Sequence, residues 1–208
     1  MVKWIIPWED NFMDSFELRQ NRKSQLNDFQ HNMIVGTILG DGHVLRTTMG
    51  FCLRLKHSLK QRKLLEWKHK VLINIATPIK IYKDSCYFRT VTHPVFTNYR
   101  AMFYRSSRKI IPREFMNVIN PVALATWIMD DGTNELGHSR SLRINTQCFS
   151  MTEQKKIQRV LRTKFGLIAT LNKDKNMYRL RIAKSSMNQL RTLVESYIIP
   201  SMFYKISP

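Results

Sequence analysis

Asp41 and Asp131 close two apolar stretches of similar outline, IVGTILGDG (34–42) and LATWIMDDG (124–132), 90 positions apart. The chain around them is strongly basic, with 34 Lys and Arg against 15 Asp and Glu and a formal net charge of +19. Two carboxylates brought together repel, and burial makes their ionised forms costlier still. A hard divalent cation relieves both problems, because Mg²⁺ favours carboxylate oxygens, backbone carbonyls and water. On a basic surface, the chemistry of such a site is phosphodiester hydrolysis, in which cations activate water and stabilise the leaving oxygen. The alternative is two helix-end acids bound by nearby Lys or Arg, since Asp-Gly is a common turn pair. Matched placement of both aspartates favours the cation.

The elements that carry these acids are legible. Asn120 and Pro121 offer an N-cap and a first helical residue, and Gly132 a helix stop. Asp130 and Asp131 then fall in a last helical turn, where the macrodipole disfavours negative charge, so a compensating cationic group is expected. In the first stretch Gly36 and Gly40 stand four apart on one face, letting a partner backbone approach; Ala125 and Thr126 are the modest counterparts in the second. Packed side by side, the two helices bring Asp41 and Asp131 to one end.

The similarity extends along the chain. A loop and an alternating strand follow each motif, FCLRLKH with Arg54 and LRINTQ with Arg143, 89 positions apart. Next come the basic amphipathic segments QRKLLEWKHKVLINI and TEQKKIQRVLRTKFG, then hairpins whose Lys-Asp pairs place Asp84 and Asp174 90 apart. Each copy closes on a lysine, Lys109 in RKIIP and Lys205 in YKISP. The expected architecture is α+β: half-domains 30–116 and 117–208, each helix, two strands, helix, two strands, helix. Residues 1–29 form an extension whose Trp4, Trp8, Phe12 and Phe16 recur every four residues, as in a helix packed onto the body. One strand face is apolar (Phe51, Leu53, Leu55; Leu142, Ile144; Leu180, Ile182). The other face, with the neighbouring hairpins, carries Arg54, Lys56, Lys80 and Arg89 in the first half and Ser141, Arg143, Asn145, Arg179 and Arg181 in the second. Such side chains read base edges in a major groove.

The charge balance points to nucleic acid, and no apolar run approaches a transmembrane length. The opening MVKWIIPWEDNF breaks its apolar stretch with Pro7 and acids, unlike a signal peptide. Cys52, Cys86 and Cys148, odd in number and widely spaced, are expected in the core of a protein from a reducing, DNA-containing intracellular compartment, organellar or prokaryotic. The six histidines lack zinc-ligand spacing.

The two motifs, with LRINTQCFSMTEQ, KFGL, SYIIPSMFYK and RKIIP in order, resemble the single-chain, two-motif LAGLIDADG homing endonucleases over about residues 30–208. The resemblance implies a monomeric pseudo-dimer of αββαββα halves, with antiparallel sheets forming a saddle on a long asymmetric double-stranded DNA site. It implies Mg²⁺-dependent cleavage of both strands, with Mn²⁺ substituting. By motif position Asp41 and Asp131 are the implied metal acids, with the carbonyls of Gly40 and Asp130 beside them. Lys109 and Lys205 match basic residues near the scissile phosphates, and Gln147 matches a solvent-ordering position. Around His57, Ser58 and Gln61 no glutamine falls in that frame, and Gln61 is the nearest substitute. Some family members instead act as maturases on their encoding intron RNA, and a non-catalytic DNA-binding regulator on the same fold is the third reading.

Overall fold

The computed structural model describes residues 20–135 and 141–207; Trp4, Trp8, Phe12 and Phe16 lie outside them. The elements run α1 (Asp28–Leu39), β1 (His43–Thr47), β2 (Gly50–Ser58), α2 (Arg62–Val71), β3 (Lys80–Tyr82), β4 (Ser85–Arg89), α3 (Pro94–Phe103), β5 (Tyr104–Arg105), β6 (Arg108–Lys109) and α4 (Phe115–Val118). They continue with α5 (Pro121–Asp131), β7 (Gly132–Asn134), β8 (Leu142–Ile144), α6 (Met151–Phe165), β9 (Ala169–Asp174), β10 (Met177–Ile182), α7 (Met187–Val194) and a closing 3₁₀ segment at Pro200–Lys205.

Both motif helices start on an asparagine cap. Asn27 accepts from the Gln30 amide at 2.9 Å while the Gln30 side chain accepts from Asn27 N at 3.0 Å, a reciprocal capping box. Asn120 accepts from Ala123 N at 2.9 Å, and Pro121 follows it as expected. Each helix buries nearly its whole circumference, α1 from Met33 to Leu39 and α5 from Val122 to Asp130, so each belongs to the core rather than to a surface.

The two helices pack with almost no space between backbones. A Cβ placed on Gly36 would lie 2.3 Å from the Ala123 carbonyl oxygen, and one on Gly40 would lie 2.6 Å from the Asp130 side chain. Thus Ala123 and Thr126, rather than Ala125, meet Gly36, because residues three apart share a helix face.

The two sheets repeat each other, with strand orders β1-β2-β4-β3 and β7-β8-β10-β9 and antiparallel pairing throughout. Arg54 pairs with His43 and Arg89, and Arg143 pairs with Thr133 and Arg181. Equal register keeps the same face apolar in both halves: Leu53, Leu55 and Phe88 are buried in one, Leu142, Ile144 and Leu180 in the other.

Three details depart from expectation. The small hairpin β5–β6, which carries Lys109, has no counterpart in the sequence reading. Asn145 lies just past the end of β8, where Thr146 turns inward to donate to Gln154 at 3.0 Å and accept from Leu180 N at 3.0 Å. Cys148, placed in that turn, is exposed, whereas Cys52 and Cys86 are buried as expected. Among the described residues no helix is long and apolar enough to cross a membrane.

Candidate active site at the motif-helix ends

The last carbonyls of a helix lack intrahelical donors and carry the negative end of its dipole. Two lysines meet them here. Lys109, delivered by β6, donates from Nζ to Gly40 O at 2.5 Å. Lys205, at the end of the closing 3₁₀ segment, donates to Met129 O at 2.5 Å and Asp130 O at 3.1 Å. These are the cationic groups that the acidic helix ends require. The carbonyls of Gly40 and Asp130, implied as cation neighbours, are therefore each hydrogen-bonded to an ammonium. Burial pushes both lysines below the usual lysine range, and the charges of Asp41, Asp130 and Asp131 pull them back up.

Asp131 accepts from the Trp127 indole one turn earlier, Nε1 to Oδ2 at 3.2 Å. Burial, and then the charges of Asp41 and Asp130, push its carboxyl up to about 7, against opposing effects of Trp127 and Lys109. Without a further cation, this carboxyl is divided between its two forms near neutrality. Asp41 is more open, its side chain 42% exposed.

Asp130 is drawn into the site by its side chain as well as its backbone. Lys68 donates to its Oδ1 at 2.5 Å, with both side chains fully buried, and Asp41 N donates to its Oδ2 at 3.2 Å. His57 lies between the two acids, Nδ1 at 3.4 Å from Asp41 Oδ2 and Nε2 at 3.8 Å from Asp130 Oδ1. Its ring is 1% exposed and neither nitrogen has a hydrogen-bond partner of good geometry. Burial, then the nearby Lys68 charge, hold it neutral, pushed down to about 3. Ligand atoms of Asp41, His57 and Asp130 all lie within 4.8 Å of one another. Two carboxylates and an unsatisfied imidazole are a donor set that fits a divalent cation.

The other predicted residues divide by half. Lys56, Lys80 and Arg89 are exposed on the first sheet and Arg54 is half-buried. On the second sheet Glu135 gathers the polar face inward, pairing with Arg143 at 3.4 Å and Arg181 at 2.9 Å. Ser141 is buried there, donating to Glu135 at 2.8 Å and accepting from Arg181 Nε at 2.8 Å. This corrects its expected place on an open reading face. Gln147 donates to Asp174 at 3.3 Å, and Asp174 also accepts from Arg179 Nε at 2.7 Å. Gln61 borders an open cleft shared with Asp41, His57 and Ser58.

A family model for LAGLIDADG DNA endonucleases matches residues 31–190. The chain belongs to the LAGLIDADG DNA endonuclease family. It is similar to the homing endonuclease I-WcaI bound to its DNA recognition sequence, with a TM-score of 0.84 and 25% identity over 91% of this chain and 92% of that one. It is 30% identical over 199 residues to cytochrome b mRNA maturase bI2 of Saccharomyces cerevisiae, covering 84% of this chain but 46% of the maturase. A probable intron-encoded endonuclease 1 of Wickerhamomyces canadensis is 29% identical, with 87% and 85% covered. The chain thus spans about half the length of some relatives and most of others.

Within this LAGLIDADG chain, sequence reading missed His57, Lys68 and the side chain of Asp130. The available signal was the mismatch between copies. Arg62 and Met151 begin equivalent helices, so Lys68 is the seventh residue of α2 where α6 has Ile157. An ionisable residue matched to an aliphatic one marks a place where the halves have diverged.

Proposed function

We propose that this LAGLIDADG protein is a site-specific endonuclease that hydrolyses one phosphodiester in each strand of a double-stranded DNA target with Mg²⁺, and that Mn²⁺ substitutes. The observation that carries the reading is the arrangement of Asp41 and Asp131 on the ends of two interlocked helices, where the Asp41 charge helps push the Asp131 carboxyl up, in a chain of net charge +19. Asp41 and Asp131 are the residues that hold the ions. Bound there, a divalent ion supplies an activated water and offsets charge on the leaving oxygen.

The rest is the work of the chain. Lys109 and Lys205 hold the two helix ends in register and present positive charge beside the acids, where it favours a developing phosphorane or oxyanion. Gln147 orders solvent at the edge of the site. Arg54, Lys56, Lys80 and Arg89, with Arg143, Asn145, Arg179 and Arg181, contact phosphates and base edges; the Glu135 and Asp174 pairs position the second set until DNA competes for it. A monomer suffices because both halves lie in one chain.

The test is cleavage of DNA spanning the uninterrupted host locus, with and without Mg²⁺. One Mg²⁺-dependent double-strand break is expected, absent in Asp41→Asn, Asp131→Asn protein that still binds the DNA. Full activity in either single variant removes the paired acids from the mechanism. Similarity to a cytochrome b mRNA maturase supports a second reading, intron RNA binding. Tight binding of the host intron RNA with no DNA cleavage is its expected result.

A further inference from the structure

The two halves provide an internal comparison for every residue of the site. Three of the positions that differ in kind are Gly40 against Asp130, Thr146 against His57, and Ile157 against Lys68. The match follows from register, since His57 and Thr146 each lie three residues past the paired Arg54 and Arg143. In the structure the three ionisable members come together. Lys68 Nζ meets Asp130 Oδ1 at 2.5 Å, and His57 Nε2 lies 3.8 Å from the same oxygen.

Thr146 has both a donor and an acceptor partner. His57, its counterpart, is 99% buried as a side chain, and neither ring nitrogen makes a hydrogen bond of good geometry, the Gln61 side chain being a neutral polar neighbour. Buried polar atoms are nearly always satisfied, so such a ring, with one nitrogen facing the solvent-accessible Asp41 carboxylate, points to a missing partner. On one side Nδ1 faces Asp41, which opens onto a cleft of about 490 Å³. On the other, Nε2 faces a carboxylate that Lys68 and the Asp41 amide already hold in place.

In metal-binding histidines one nitrogen coordinates while the other donates to a carboxylate that fixes tautomer and ring orientation, a contact that His57 Nε2 makes once it closes the 3.8 Å to Asp130 Oδ1. We infer that His57 Nδ1 joins Asp41 as a ligand of one divalent ion, with Asp130, anchored by Lys68, as the acceptor that orients the imidazole. The proposal rests on Asp41 being a cation-binding acid. Donor atoms 3.4 Å apart fall within the span available to two ligands each about 2.0–2.2 Å from a common ion. Because one ligand is an imidazole nitrogen, this half of the site favours Mn²⁺, Co²⁺ or Ni²⁺ over Mg²⁺ relative to the half that offers Thr146. The two cleavage centres thus differ in metal preference.

The test uses the full chain with Mn²⁺ alone and no DNA, read by pulsed EPR. A nitrogen coupling of the size given by directly bound imidazole is expected in wild type, changing to the ¹⁵N pattern when histidines are ¹⁵N-labelled. This requires no variant to fold. In folded His57→Gln or His57→Thr the coupling disappears, and calorimetry shows Ni²⁺ bound about tenfold or more weakly with Mg²⁺ much less affected. Saturable Mn²⁺ binding that Asp41→Asn removes but that shows no nitrogen coupling overturns the His57 assignment while leaving Asp41 as a cation ligand. Absence of Asp41-dependent binding also overturns it, and the DNA cleavage assay then decides separately on the paired acids.

Discussion

At the scale of residues, the site is a balance of charges that no member sustains alone. Asp130 and Lys68 are both fully buried, and each offsets the other's charge. Removing one partner of such a pair leaves an uncompensated interior charge, at a cost of about 3–5 kcal/mol, whereas removing both is often close to neutral. Lys68→Met is therefore expected to lose about 3–5 kcal/mol in urea unfolding, and Lys68→Met with Asp130→Ala to recover most of it. Additive losses in the double variant would mean that the two side chains are stabilised independently. The histidine beside them was invisible to spacing rules because its partners come from two other elements: Asp41 from the turn after α1 and Asp130 from α5.

At the scale of elements, the interlock of α1 and α5 sets the distance between the aspartates. Gly36 faces the Ala123 carbonyl with no room for a Cβ. Gly36→Ala must separate the helices, and overpacking of this kind costs about 1–3 kcal/mol. Cleavage is expected to fall more steeply than stability, because both acids move; an unchanged cleavage rate in a destabilised variant would uncouple the helix spacing from the site. A second element-level joint is Glu153, in the capping box of α6, which accepts from Ser150 N at 2.7 Å, Ile111 N at 3.1 Å and Arg108 at 3.0 Å. Burial pushes its carboxyl up, but the Ser150 hydroxyl and amide, the Ile111 amide and Arg108 outweigh that and hold it below its ordinary 4.5. A carboxyl lowered by folding stabilises the fold above its unfolded value and loses that contribution as pH falls through the folded one. Thermal melts are thus expected to show a smaller acid-side drop, below about pH 4.5, in Glu153→Gln than in wild type. Parallel acid limbs would assign the drop to other carboxyls.

At the scale of the whole molecule, a chain of net charge +19 that binds a duplex by many phosphate contacts must release counterions. The logarithm of its affinity is expected to fall steeply and linearly with that of salt concentration, by roughly 0.9 per neutralised phosphate. Fluorescence anisotropy on a labelled target measures this slope. A nearly flat dependence would count against the basic sheets as the binding surface. Arg143→Ala and Arg181→Ala address the second sheet separately, since Glu135 holds both in the unbound chain.

The sequence by itself determined the twofold plan. Matched motifs, strands, basic helices and hairpins recur 89 or 90 positions apart, and local rules suffice for them: asparagine caps, alternation in strands and glycine where helices approach. It also identified Lys109 and Lys205, because position in a repeat is a one-dimensional property. Only the tertiary structure decided what those lysines touch, that Ser141 and Arg181 turn inward to Glu135, and that His57, Lys68 and Asp130 converge. The reason is physical: burial and charge pairing depend on distances between segments far apart in the chain. A repeat conceals them most where its two copies have ceased to be alike.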